Sequence, residues 1–68
     1  MKLSTPNVIA GDSKEVKKGA TTSQVLLDVG GGVIIASITN QAVDELKLAA
    51  GQKATAVIKA SDVMISVD

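Results

Sequence analysis

Residues Ala56 to Ile65 read A-V-I-K-A-S-D-V-M-I, and this stretch decides the fold. Two short apolar runs of β type flank a polar corner made of Lys59, Ala60, Ser61 and Asp62. The reading predicts a strand from Lys53 to Lys59, a turn at Ser61-Asp62 and a last strand from Val63 to Val67. In the strand before the corner, Ala54, Ala56 and Ile58 face one way, and Thr55, Val57 and Lys59 the other. The corner brings a lysine, a hydroxyl, a carboxylate and the N–H groups of small residues to one place. It is either a solvated turn or one wall of an anion site, and the rest of the chain decides which.

Working outward, Lys2 to Ile9 reads as a first strand. Pro6 cannot donate to a ladder, so this segment belongs at an edge, a bulge or an arm. Gly11-Asp12 marks a bend, after which Ser13 to Lys18 continues the strand as far as the Lys17-Lys18-Gly19 turn, where Gly19 suits a positive φ. Thr22 to Val29 forms a second strand, and Gly30-Gly31-Gly32 a hairpin turn. No Lys-Ser/Thr and no helix follows those glycines, so they are not a phosphate loop. Val33 to Thr39 is almost continuously apolar and is expected to be buried on both faces. Asn40 reads as the N-cap of a short helix over Gln41 to Leu46, with acids near its start, and Leu48 to Gly51 closes it. The succession is therefore three strands, a short helix and two more strands, in one domain spanning residues 1–68. It predicts an all-β fold, a five-stranded barrel of the oligonucleotide/oligosaccharide-binding (OB-fold-like) type with one short helix between strands 3 and 4.

Composition narrows the function. The chain has 68 residues, close to the size at which one core barely supports itself. It has no Cys and no His, which removes disulfides and the usual transition-metal ligands and leaves oligomerisation as reinforcement. It is 46% hydrophobic with no aromatic residue and carries a net charge of zero, every basic residue being a lysine. Nucleic-acid binders carry basic excess, and single-strand binders need aromatic stacking platforms, so no nucleic-acid partner is expected. The start of the chain has no signal-peptide pattern and no run spans a membrane; a cytoplasmic protein without a membrane partner is expected.

Catalysis is not expected either, and the chain is read as no enzyme. General acid–base and nucleophilic chemistry lacks His, Cys and Tyr, and the acids are scattered over turns and the helix. What the chain offers is donors without excess charge: Ser4, Thr5, Thr39, Lys59 and Ser61 lie at strand ends or turns beside small residues. A tetrahedral oxyanion wants several convergent donors and one or two cations. One subunit of this size is too small to wrap such an ion, and an interface between copies is the natural place for it.

The segments L-S-T-P-N-V-I-A-G (Leu3 to Gly11), K-K-G-A (Lys17 to Ala20), Val25 to Gly32, I-T-N-Q-A-V-D-E-L-K-L-A-A-G (Ile38 to Gly51) and A-V-I-K-A-S-D-V-M-I occur in register over the whole chain. Together they resemble the molbindins, small free-standing molybdate-binding proteins. The resemblance implies a barrel of the kind read above, assembled as a homohexamer (a trimer of dimers). It implies molybdate, and tungstate alongside, as the ligand held between subunits, with a role in molybdenum storage and homeostasis. It implies Ser4 and Lys59 as ligands, completed by the N–H of Ala60 and the hydroxyl of Ser61. Thr5 belongs to the same N-terminal polar cluster, Thr39 can face the same ion, and Gly19 belongs to a second class of site built from backbone groups. One departure stands out. The family pattern of serine, small residue, arginine, asparagine is here Ser4, Thr5, Pro6, Asn7, so a planar, forked cation is missing, and weaker binding at that class of site is expected. The alternative reading is a structural or interaction barrel on which anion binding is incidental.

Overall fold

The computed structural model describes residues 6–68; Ser4, Thr5 and the beginning of the expected first strand lie outside them. The described residues form β1 (Asn7–Lys18), β2 (Thr22–Asp28), β3 (Val33–Thr39), α1 (Asn40–Leu46), β4 (Lys53–Ile58) and a 3-10 turn (Ala60–Asp62). The four strands make one antiparallel sheet in the order β3-β2-β1-β4.

The sheet curls because β1 changes partner half-way along. Asn7 to Asp12 pairs with Ile58 to Lys53, whereas Asp12 to Lys18 pairs with Asp28 to Ser23. The expected bend at Gly11 is where the switch occurs, and a register shift between Ser13 and Glu15 adds a bulge that increases local twist. Gly11 is required there by proximity. A Cβ on it would collide with the Asp28 carbonyl, so only hydrogen lets β1 pass this close to β2. Immediately beyond, Ser13 exchanges backbone hydrogen bonds with the loop before β4: its N–H donates to Gln52 O and its carbonyl accepts from Gly51 N, both at 2.7 Å. The outcome is a half-barrel, mostly β, with one short helix between β3 and β4, as the order of elements predicted.

Alternation sets the inner face. Val25 and Leu27 of β2 and Val43 of α1 are fully buried, and Ala54, Ala56 and Ile58 of β4 are half-buried in the facing predicted for them. Burying a Val or Leu side chain contributes about 1.5–3 kcal/mol, so three such residues make a small core. Against it stand Val8, Ile35 and Val57, each more than 60% exposed.

The structure corrects several expectations. β3 alternates between exposed and half-buried positions along its whole length. It is one of the two outer strands of the sheet, and its second apolar face, Val33 and Ile35, is exposed. Residues 63–67 form no strand among the described residues: Val63 is extended, but Met64 is 92% and Ile65 86% exposed. Four strands are therefore described where five were expected. Among the described residues the outer edge of β3 has no partner strand, and the Asn7–Gly11 half of β1 pairs only with β4. Thr39, not Asn40, caps α1, its Oγ1 accepting from Ala42 N at 3.0 Å. With the helix starting at Asn40, no acid falls in its first turn. Gly19 has no positive φ. A Cβ there would meet the Thr22 carbonyl at 2.8 Å, so tightness of the turn selects glycine.

Candidate anion-binding corners

The residues expected to hold an anion fall into two groups. The first is the corner after β4. Lys59 leaves the sheet in extended conformation (φ −63°, ψ 134°) and its carbonyl accepts from Asp62 N at 2.9 Å, while Val63 N donates to Ala60 O at 3.2 Å. These bonds close one 3-10 turn and consume only its last N–H groups, since the first N–H groups of any helical turn have no internal acceptor. Among the described residues the N–H groups of Ala60 and Ser61 and the Ser61 hydroxyl meet no acceptor, and Lys59 meets no carboxylate. Three of the other lysines are partly neutralised: Lys18 Nζ lies 2.7 Å from Asp44 Oδ1, Lys53 Nζ 3.8 Å from Asp12 Oδ1 and Lys17 Nζ 4.0 Å from Glu15 Oε2. All three pairs are exposed and add little stability, but they lower the local positive field. At the corner, the Lys59 ammonium stands unpaired beside open donors, with the Asp62 carboxylate at the end of the same turn. Asn7, three positions after Ser4 in the chain, pairs with Ile58, one position before Lys59, and its Nδ2 donates to Ile58 O at 3.4 Å.

The second group surrounds the β1–β2 turn and the start of α1. Thr22 pairs with Thr39 in the sheet, which brings Gly19 and Thr39 to the same end of the molecule. Gly19 N donates to Thr22 O at 2.7 Å, and Gly19 O accepts from Asn40 Nδ2 at 3.0 Å, so both backbone groups of Gly19 are committed. The Thr39 oxygen is occupied as a cap acceptor, while its hydroxyl proton remains available to donate.

In the register of one chain these groups sit at opposite ends of β1: Ile58, next to Lys59, opposes Asn7, whereas Ser23, next to Thr22, opposes Lys18. Thr39 and Lys59 are thus not brought together within one chain. The open depression between β1, β4 and the β2–β3 hairpin is lined by Asp12 and Asp28 with Lys53, a charge balance that repels a dianion. Among the described residues no cluster of three or more His, Cys, Asp or Glu could hold a metal ion, and no helix is long and apolar enough to cross a membrane. The residue that sequence reasoning misplaced is Asn40. Thr39 and Asn40 are both good caps, and only the hydrogen bonds of the folded chain assign the cap to Thr39 and release Asn40 for the turn.

A TOBE domain model matches residues 3–65. The chain belongs to the TOBE domain family. Among curated relatives, this TOBE domain is 48% identical over 66 residues to the molybdenum transport protein ModE of Herbaspirillum seropedicae, covering 96% of this chain but only 24% of ModE. It is 38% identical over 69 residues to a probable molybdenum-pterin-binding protein of Haemophilus influenzae, covering 100% of both. Its backbone superposes on a molybdate-binding protein from Sporomusa ovata with a TM-score of 0.89 at 33% identity, covering 98% of this chain and 100% of that one. The half-barrel is therefore the molbindin form of the domain, and the resemblance carried by the five sequence segments stands. The names of the Haemophilus and Sporomusa proteins describe binding, not catalysis.

Proposed function

We propose that this TOBE domain binds molybdate, and tungstate alongside, at interfaces between copies of itself, and that it stores and buffers the ion in the cytoplasm. The observation that carries the reading is the corner after β4, where Lys59 stands unneutralised beside the open N–H groups of Ala60 and Ser61 and the Ser61 hydroxyl. A desolvated dianion needs a cation and several charge-assisted hydrogen bonds at once. Ser4 and Thr5 precede the strand that pairs beside Lys59 and are assigned to the same ion. Thr39, presented by a second copy, is assigned to that ion as well, and Gly19 to a separate, second class of site built from backbone groups.

The separation of the two groups supports a shared site. One chain presents Lys59 at one end of β1 and Thr39 at the other, so an ion touching both requires two copies. The open edges of β1 and β3, the small core and the apolar residues 63–67 all favour assembly, in the form of a homohexamer arranged as a trimer of dimers. The similarity to the Sporomusa molybdate-binding protein over both whole chains favours molybdate as the ion. Sulfate has the same charge and shape, so discrimination comes from pocket size.

Native mass spectrometry with sodium molybdate, repeated in excess sulfate, tests the reading. The expected result is a hexamer that retains molybdate when sulfate is present. Equal displacement by sulfate would remove the molybdate assignment. A monomer that takes up no anion would instead favour a structural barrel, the reading for which the outward-facing Val8 and Val57 speak.

A further inference from the structure

The turn between β1 and β2 is gripped from one side. Its Gly19 carbonyl accepts from Asn40 Nδ2 at 3.0 Å, and its Thr21 carbonyl accepts from the Asn40 backbone N–H at 2.9 Å. Asn40 Oδ1 in turn accepts from the Ser23 hydroxyl, and Ser23 is only 2% exposed. The amide cannot flip without leaving a buried donor unsatisfied, which costs about 1–3 kcal/mol. Its orientation is thereby fixed.

A trans peptide sets its carbonyl and the following N–H on opposite sides, and the chain has no cis bond among the described residues. Because the Gly19 carbonyl is drawn toward Asn40, the Ala20 N–H points the other way, out of the turn. Among the described residues it meets no acceptor, whereas the Gly19 N–H is spent on the Thr22 carbonyl. Lys17 and Lys18 lie immediately upstream, and the Lys18–Asp44 pair ties the same turn to α1 from outside.

We propose that Asn40 is a positioning residue for oxyanion binding: its side-chain amide locks the Gly19–Ala20 peptide so that the Ala20 N–H becomes the turn's donor to a tetrahedral oxyanion. The inference rests on the reading of this chain as an oxyanion binder and moves the backbone donor of the second class of site, which holds a different ion from the Lys59 corner, from Gly19 to Ala20. Asn40 itself does not touch the ion.

Amide NMR of the assembled full chain, titrated with sodium molybdate and followed by calorimetry, tests it. The Ala20 amide is expected to shift strongly and the Gly19 amide much less. Asn40→Ala should weaken the binding that moves Ala20 about tenfold, the scale of one well-placed hydrogen bond. The response of Lys59, Ala60 and Ser61 should stay as in the natural chain. Should Asn40→Ala fail to fold, Ser23→Ala frees the amide to turn, and a smaller loss at the same Ala20 signal is expected. Movement at the Lys59 corner with none at Ala20 would overturn the inference and leave the proposed function standing. Equal weakening at both places in a folded variant would also overturn it, because that is a purely structural effect. Absence of any shift in the natural chain would overturn the proposed function and this inference together.

Discussion

Lys59 is one of three lysines, with Lys14 and Lys47, that pair with no carboxylate among the described residues. Of these three it is the one set beside unpaired N–H groups and a hydroxyl. Its exposure means that removing it leaves the core untouched. Lys59→Ala is therefore expected to keep the circular-dichroism spectrum and melting temperature while weakening molybdate binding by about 10- to 100-fold, the range for a hydrogen bond to a charged group. Calorimetry on the folded variant checks it. Pro6 offers the complementary change. It is exposed and lies just before β1, and its side chain replaces the forked cation of the molbindin pattern. Pro6→Arg should tighten binding, because guanidinium offers bidentate geometry that ammonium lacks; equal affinity for the two proteins would contradict this. At this scale the corner was legible in the sequence, because a lysine, a small residue and a hydroxyl after an alternating strand specify a donor-rich turn. Asn40 was not. Its task depends on Ser23 and Gly19, 17 and 21 positions away, and no local pattern encodes such partners.

At the scale of elements, legibility followed periodicity. β4 alternates, with Ala54, Ala56 and Ile58 sharing the face that the pattern groups them on; β2 alternates too, although its composition alone assigns it no inner face. The run V-I-I-A-S-I-T is apolar on both faces, which predicts burial on both, whereas β3 is an outer strand whose second face is exposed. Two positions have direct energetic consequences. Gly11→Ala would drive a methyl group into the Asp28 carbonyl where β1 crosses from β4 to β2. Backbone cannot yield as a flexible side chain does, so a loss of about 1–3 kcal/mol is expected, read as a lower midpoint of urea unfolding. Lys47 ends α1 in the left-handed region, φ 54° and ψ 44°, with its N–H donating to Asp44 O at 3.2 Å and Leu48 N to Val43 O at 3.0 Å. Left-handed backbone is costly for a residue with a Cβ and free for glycine, which is why glycine usually follows a helix. Lys47→Gly should stabilise by about 0.5–1 kcal/mol after the added freedom of the unfolded chain is subtracted. The same urea experiment, run beside Gly11→Ala, should move its midpoint in the opposite direction.

For the whole molecule, the element order points to a five-stranded barrel without fixing its closure, and the described residues present a four-stranded half-barrel. The difference lies in residues 63–67. Their composition is that of a strand, but their partner is not a segment described within the chain, and a sequence pattern records strand propensity without recording who pairs with it. Met64, Ile65 and Val67, at 92%, 86% and 90% exposure, are each about 1.5–3 kcal/mol short of the stabilisation that full burial brings, and Val63, at 45%, falls short by about half as much. Edges that lack partners and apolar tails that lack cover are relieved together when a tail from one copy lies along the open edge of another. Deleting residues 64–68 removes most of that relief and leaves β1 to β4 and the Val63 bond that closes the Lys59 corner intact. The expected outcome, measured by analytical ultracentrifugation, is a shift of the assembly toward smaller species at a given protein concentration. Molybdate capacity should fall with the assembly, because the proposed ion, shared between the Lys59 corner of one copy and the Thr39 end of another, would have no complete site on either alone. A truncated chain that kept both its size and its capacity would place the interface elsewhere, on the outward face that carries Val8 and Val57.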